Sequence, residues 1–316
     1  MLSRYTVAFR AIFNRLAPQR LSVLLIVLAL PTWGYAQTIS RAYPITHEKR
    51  ISSRLKLGLV KLKLAAHHSP NVFEYRYTSP DPSDLHYTYD ILEDGTGDLD
   101  ISNICSKNIE NKTISLNKTI SHRLRDWFSS DEEKREELPT LTITFTDQLP
   151  IDLALTLTAG EHELDLSSLK ISSLELKSSA CQTKVQFKKP NAEPMEKLKI
   201  ATGASRFILE GLGNANFKEL NVHGGASDVT MDFSGKATSK NAKAKISLGA
   251  GSLTVIVPQN DAVKLNYSEN ILSSVDLPKD FKKKGDVYVS GNYGSGLRTL
   301  EFDISTGMGS VKVEWK

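Results

Sequence analysis

The chain has 316 residues, 40% of them hydrophobic, which is enough to bury a large core in one or two domains. Its formal net charge of +4 reflects 40 Lys and Arg against 36 Asp and Glu, and the excess equals the four arginines Arg4, Arg10, Arg15 and Arg20 at the start of the chain. Without that leader the chain is formally neutral. This charge balance excludes a nucleic-acid-binding protein that depends on a basic surface.

Residues 1–36 are typical of a secretory signal peptide. The arginine-rich start has no acidic residue, and it precedes an apolar run, Leu21–Leu30, that is too short to span a bilayer comfortably. Gly34-Tyr35-Ala36 then supplies the small residues that signal peptidase requires. We predict cleavage before Gln37 and export to the periplasm or cell surface, with no integral membrane segment afterwards. An uncleaved anchor is the alternative.

Residues 37–150 are predicted to form an N-terminal β region. Alternating apolar residues predict strands over Ile51–Leu64 and around residues 72–77 and 87–91, and Asp94–Gly97 has the composition of a hairpin turn. The pattern changes after residue 105. There Ser130–Glu133 matches a capping box before a charged stretch, so we expect one short helical excursion that ends before Pro139.

Residues 151–316 repeat one sequence pattern, which we number from a small residue at position zero. Apolar residues fall at positions −6, −4, +3, +5 and usually +7. Because the step from −4 to +3 is odd, a straight strand would turn its apolar residues to opposite faces, and a bend at the small residues returns both arms to one interior. The residues at position zero are Ala159, Ala180, Ala204, Ala226, Ala250 and Met308.

One copy of this pattern cannot bury its own apolar residues, whereas stacked copies can. The pattern therefore favours an all-β solenoid, and a β-sandwich is the alternative. We also expect Ala204, Ala226 and Ala250 to point inward at the corners, because only small side chains fit there.

Several segments resemble the toast-rack domains of cell-wall-active antibiotic response proteins. They are Thr146–Leu169, Glu210–Leu220, Leu272–Pro278 and Ile304–Val311. The resemblance is strong over about residues 150–316 and weaker over 45–150, where Leu59 stands in place of the corner alanine. It implies a right-handed parallel β-helix-like fold in bacterial envelope proteins, some of which act with membrane-stress signalling systems. The family has no catalytic motif.

The possible metal ligands have simpler interpretations. Asp94, Asp98 and Asp100 have a spacing that suggests calcium, but they lack the rest of an EF-hand loop, so a solvated hairpin tip is preferred. His67-His68 has no metal-ligating partner nearby in the sequence. We therefore predict no metal site.

The possible catalytic and cofactor motifs are also incomplete. Ser167–Lys170 matches a serine–lysine motif by letter, but that motif needs a helical turn, and these residues lie between predicted strands. Gly211-Leu212-Gly213 lacks the third glycine of a dinucleotide-binding loop. We predict no catalytic residue and no cofactor.

Export would place Cys105 and Cys181 in an oxidising compartment, where they could pair. Against pairing, Cys181 follows a corner where other copies carry Ser or Gly, and the question stays open. Trp127-Phe128 could bind a partner, but such a pair more often packs a helix onto its own domain.

Three functions remain. The first is a non-catalytic envelope protein that binds an envelope protein or a cell-surface glycan, and the second is an envelope-stress regulator that acts on a membrane sensor. The third, a β-helix polysaccharide enzyme, would need a column of acidic residues with Arg or Lys at equivalent outward positions. Position +4 shows no such column: it holds Lys184, Ile208, Thr230, Thr254 and Lys312. We therefore expect a protein that is not an enzyme.

Overall fold

The computed structural model describes residues 36–103, 138–236, 241–267, 271–295 and 298–316. Across these ranges the chain is nearly all β-strand, and the helical segments are two 3-10 turns, Pro82–Asp84 and Leu212–Asn214. This confirms the all-β class. The predicted helical excursion, the signal peptide, Cys105 and Trp127-Phe128 lie outside the described residues.

The strands alternate between buried and half-exposed residues, as the sequence predicts. In chain order they are β1 Gln37–Pro44, β2 Arg50–Leu59, β3 Lys61–His67, β4 Asn71–Ser79, β5 His86–Ile91, β6 Thr96–Ser102, β7 Thr140–Thr146, β8 Pro150–Asp165, β9 Lys170–Gln186, β10 Met195–Thr202, β11 Arg206–Glu210, β12 Phe217–Asp232, β13 Asn241–Val257, β14 Ala262–Tyr267, β15 Ser273–Asp276, β16 Lys282–Lys284, β17 Val287–Val289 and β18 Thr299–Trp315. All of them belong to the compact unit Gly34–Lys316.

Parallel pairing stacks the copies of the repeat into layers. β8 pairs with β9, β9 with β10 and β11, these two with β12, β12 with β13, and β13 with β18. The register places Ala159 opposite Ala180, Ala226 opposite Ala250, and Ala250 opposite Met308. This pairing agrees with a stacked repeat and not with an antiparallel sandwich. The right-handed sense of the winding stays a prediction.

The order of the layers differs from the order of the chain at both ends. β18 lies between β13 on one side and β14 and β15 on the other. Likewise, the layer of β2 and β3 lies between β8 and the layer of β6 and β7. Antiparallel strands complete each end, with β5 on β6, β4 on β7 and β1 on β4 at one end, and β16 and β17 beside β14 at the other.

The interior is one hydrophobic core that runs through all the layers. In the layer of β9, for example, Leu174, Leu176, Val185 and Phe187 are at most 2% exposed at positions −6, −4, +5 and +7. Repetition of this arrangement removes a continuous apolar surface from water, which is the main favourable contribution to folding.

The corners correct one sequence-based expectation. Ala204 and Ala226 are exposed and Ala250 is half-buried, so the prediction that these alanines point inward is wrong. In these layers positions −1 and 0 turn outward, and in the layer of Ala204 the buried corner residues are Thr202 at −2 and Ser205 at +1. Ala159, in contrast, is 1% exposed. Position −1 is small for a different reason: a Cβ on Gly203 would lie 2.6 Å from the carbonyl oxygen of Ser179 in the neighbouring layer.

Candidate binding surfaces

The outward corner residues line a shallow groove of about 500 Å³ that crosses several layers. Its floor is formed by the small residues at position zero, and its rim carries the polar side chains of Gln182, Arg206 and Asp228. Arg206 and Asp228 are paired in adjacent strands, and Asp228 accepts a hydrogen bond of 2.7 Å from Ser252 Oγ. The floor residues include Ala180, Ala204, Ala226 and Ala250.

Beneath this groove, small polar side chains link neighbouring layers. Ser205 Oγ donates to the carbonyl oxygen of Ser179 at 3.0 Å, and Ser227 Oγ donates to that of Gly203 at 2.6 Å. Cys181 occupies the same position as these serines, and its buried thiol contacts the carbonyl oxygen of Leu157 at 3.4 Å. Burial raises the pKa of Cys181 to about 11, so its thiol is protonated and unreactive at neutral pH. The corner is therefore a structural element.

The acidic residues that suggested calcium are engaged in other contacts. Arg54 forms a bidentate ion pair with Asp98, with two hydrogen bonds of 2.8 Å, and its Nε donates to Asp100 at 3.3 Å. The Arg54 guanidinium lowers the pKa of Asp98 below its ordinary value. Asp94 lies elsewhere and accepts a hydrogen bond from the backbone N–H of Thr96 within the turn.

Each of the two adjacent histidines faces a carboxylate: that of His68 is distant in sequence, and that of His67 lies on β4, the next strand along the chain. His68 Nδ1 lies 2.9 Å from Asp147 Oδ1, and His67 Nδ1 lies 3.8 Å from Glu74 Oε1. The sequence around the histidines does not indicate these contacts, because Asp147 is 79 residues from His68 and the approach of Glu74 to His67 depends on the fold. Even so, the described ranges contain no group of three or more His, Cys, Asp or Glu side chains that could hold a metal ion.

The serine–lysine and glycine motifs have structural roles. Ser167 Oγ accepts from the backbone N–H of Lys188 at 2.7 Å, while Lys170 Nζ donates to the carbonyl oxygen of Gln148 at 2.8 Å. The two side chains therefore bind different partners. Gly211 adopts a left-handed conformation, with φ of 71°, at the start of a 3-10 turn. A Cβ on Gly213 would lie 2.7 Å from the carbonyl oxygen of Phe233.

An aromatic cluster at the N-terminal end of the stack was missed by the sequence analysis. Tyr43 of β1 stacks on Phe73 of β4 at 4.6 Å between ring centroids and meets Tyr89 of β5 edge-on at 5.2 Å. Tyr75 and Tyr87 lie 5.5 Å apart. The alternation of aromatic residues in these segments is visible in the sequence, but nothing there indicates that antiparallel pairing brings them together.

Glu48 closes one side of this aromatic cluster. It is 6% exposed and accepts hydrogen bonds from the backbone N–H groups of Thr46 and His47 and from the hydroxyl of Tyr89 at 2.5 Å. Burial acts to raise the pKa of Glu48, but these hydrogen bonds outweigh it and the pKa is lowered. Glu48 is therefore an ionised carboxylate with its donors already in place.

Residues 35–197 and 189–256 match the family model described as the N-terminal domain of toast_rack, DUF2154. The chain belongs to the toast-rack family. The match begins at residue 35, so it includes the N-terminal half where the resemblance looked weaker, and it ends before the last layers of the toast-rack stack. No curated protein shows significant similarity to the chain.

Three solved structures are similar over most of their length. A candidate cell adhesion protein from Clostridium sporogenes is 17% identical with a TM-score of 0.41, and the alignment covers 89% of this chain and 100% of that one. Candidate adhesins from Bacteroides fragilis and Parabacteroides distasonis are 14% and 11% identical, each with a TM-score of 0.30. Their alignments cover 88% and 90% of this chain and 97% and 98% of theirs.

In the part of the toast-rack chain that the structure describes, no helix has the length and hydrophobicity to cross a membrane.

Proposed function

We propose that this chain is an exported, non-catalytic bacterial envelope protein that binds a protein or glycan partner through the outer faces of its stacked sheet. The in-register stacking of the layers is the observation that supports this proposal most. It turns each outward position into a row of side chains spaced about 4.8 Å apart, and such extended repeated surfaces suit binding to long partners.

The charged side chains in these rows form ion pairs with side chains of opposite charge in neighbouring layers. Lys184 Nζ lies 2.9 Å from Glu210, and Lys188 Nζ lies 2.7 Å from Asp165. Because such exposed pairs contribute at most about 1 kcal/mol each, they exchange readily for contacts with a partner. The outer faces are therefore polar surfaces of mixed charge without a strong electrostatic preference.

The absence of catalysis is inferred from the environment of the clustered acidic residues that the sequence analysis considered as metal ligands. A polysaccharide enzyme needs a carboxyl group with a raised pKa as its acid or a free carboxylate as its base. Asp98 is instead held ionised by Arg54, and Asp100 shares the same guanidinium and lies 3.6 Å from Lys56 Nζ. The carboxylates of Asp98 and Asp100 therefore serve as ion-pair partners of Arg54 and Lys56.

The test is to incubate purified residues 37–316 with peptidoglycan and with neutral and anionic glycans, with and without calcium, and to measure co-sedimentation and reaction products. We expect binding to an envelope fraction without release of reducing ends or unsaturated sugars. Products that disappear in Asp100→Asn would contradict the proposal, with Asp303→Asn, an exposed carboxylate on β18, as the matched control. A membrane protein that co-purifies stably would indicate that the chain acts as an envelope-stress regulator on a membrane sensor.

A further inference from the structure

At the N-terminal end of the stack, the two arms of the repeat contain different numbers of strands. Beyond β8, the first arm continues through β2, β6 and β5, while the second arm continues through β3, β7, β4 and β1. β1 thus adds one more strand to the second arm. Within the described ranges, the strand of the first arm that faces β1 is β5, whose Tyr87 and Tyr89 contact Tyr43, and no further strand of that arm lies beyond it.

This partly covered face carries one cation among aromatic side chains. Ile39, Arg41 and Tyr43 alternate with exposed residues along β1, and each of them is half-buried. Arg41 is paired in register with Tyr75 of β4, which is only 4% exposed. We call the face formed by Arg41, Tyr43, Tyr75 and Tyr87 the tyrosine ledge.

The hydroxyl groups of the tyrosine ledge surround Tyr87. The rings of Tyr43 and Tyr75 lie 6.2 and 5.5 Å from the Tyr87 ring, both edge-on. Hydrogen bonding with Tyr43 lowers the pKa of the Tyr87 hydroxyl. Burial opposes this effect, and hydrogen bonding with Arg41 adds to it. The Tyr87 hydroxyl therefore lies among two phenol hydroxyls and the Arg41 guanidinium.

Among the described residues, no carboxylate pairs with the half-buried Arg41. Its pKa is raised by hydrogen bonding with Tyr87 and by other tyrosines, with no carboxylate of the described residues among the causes. Glu48, the nearest acidic group of the aromatic cluster, is occupied by the donors described above. A guanidinium with phenol hydroxyls beside it matches the donor geometry that oxyanions require.

We infer that the tyrosine ledge binds an oxyanion, a carboxylate or a phosphate carried by an envelope glycan. The inference rests on the proposed function and names the ligand chemistry of one of its surfaces. The aromatic rings would contact the sugar, and Arg41 would pair with the anion while the tyrosine hydroxyls complete its hydrogen bonds. Sodium phosphate alone is too small to use the rings and should bind more weakly than either glycan.

The test is titration calorimetry of residues 37–316 with three oligomers of equal length: a uronic acid oligomer, a sugar phosphate oligomer and a neutral glucan. We expect one or both anionic oligomers to bind and the glucan not to bind, with an affinity that falls as salt is raised. Arg41→Gln should weaken binding about tenfold or more, as expected for loss of a charge-assisted contact. The anionic oligomer that binds more tightly identifies the preferred ligand group as a carboxylate or a phosphate.

Arg76→Gln is the matched control, because Arg76 lies on the exposed outer side of β4. It should bind like the wild type. Tyr87→Phe keeps the ring and removes only the hydroxyl, so it should fold normally and weaken binding severalfold. Equal affinity in Arg41→Gln and Arg76→Gln, equal binding of the glucan, or no binding of either anionic oligomer would overturn the inference. These outcomes leave the proposed function standing if envelope co-sedimentation persists.

Discussion

At the scale of single residues, His162 is the most unusual buried group. It occupies position +3 of β8, where later layers place Phe207, Val229 and Leu253, and it is 2% exposed. Neither ring nitrogen has a hydrogen-bond partner among the described residues. Burial lowers the pKa of His162 to about 4 because the charged imidazolium loses its hydration. The ring is therefore neutral at neutral pH and packs as an apolar group.

This burial predicts a loss of stability in acid. The pKa of His162 is about 4 in the folded chain and about 6.5 when unfolded, so between these values the unfolded state binds more protons. The contribution of neutral His162 is fully present above about pH 6.5 and is lost progressively as the pH falls to about 4. The difference amounts to roughly 3 kcal/mol.

Urea unfolding at pH 7.5 and pH 5 measures this effect. We expect His162→Leu to lose less stability than the wild type on acidification. His223→Leu is the control, because His223 is exposed and should leave the pH dependence unchanged. An identical pH dependence in His162→Leu and the wild type would show that the imidazole is not held neutral.

At the scale of elements, the corner explains what the sequence could and could not predict. The alternating arms were predicted correctly, because the apolar spacing fixes which residues face the core. The orientation of Ala226 was not, because the odd step requires a bend but does not determine which residues of the bend turn outward. The antiparallel pairing of β4 was likewise missed, since alternation looks the same in either strand direction. The hairpin turn predicted at Asp94–Gly97 is confirmed, because β5 and β6 are antiparallel.

Because neighbouring layers approach closely at the corner, substitutions at positions −1 and 0 should differ in their cost to stability. A Cβ on Gly307 would lie 2.5 Å from the carbonyl oxygen of Gly249, so Gly307→Ala should destabilise the chain by about 1–3 kcal/mol. Ala226→Ser, which changes an exposed position, should stay within about 0.5 kcal/mol of the wild type. Denaturant midpoints give both values, and an equal cost for the two substitutions would refute this corner geometry.

At the scale of the whole molecule, the predicted export would determine which partners the chain can meet. The Arg-rich leader, the short apolar run and Gly34-Tyr35-Ala36 predict that the mature protein begins at Gln37. Intact-mass analysis of protein from the envelope fraction should therefore give the mass of residues 37–316. A mass that retains residues 1–36 would indicate a membrane-anchored protein, and recovery only from the cytoplasm would contradict export.

The layer order could not be read from the sequence, because every copy of the repeat carries the same pattern and could occupy any layer. The structure places β18 between β13 and β15, which reverses the chain order at this end. The outer rows and the groove depend on the in-register stacking that sets this order. A test of the stacking therefore tests the basis of the proposed function.

Disulfide trapping at position +4 provides that test, in a background with Cys105→Ser and Cys181→Ser. Thr254 is paired with Lys312, and Lys312 with Asp276 on its other side. Neighbouring layers lie about 4.8 Å apart, within disulfide range, whereas Thr254 and Asp276 are two layers, about 10 Å, apart. We predict that Thr254→Cys/Lys312→Cys forms an intramolecular disulfide under mild oxidation and that Thr254→Cys/Asp276→Cys does not. A bridge in the second variant and none in the first would contradict the account.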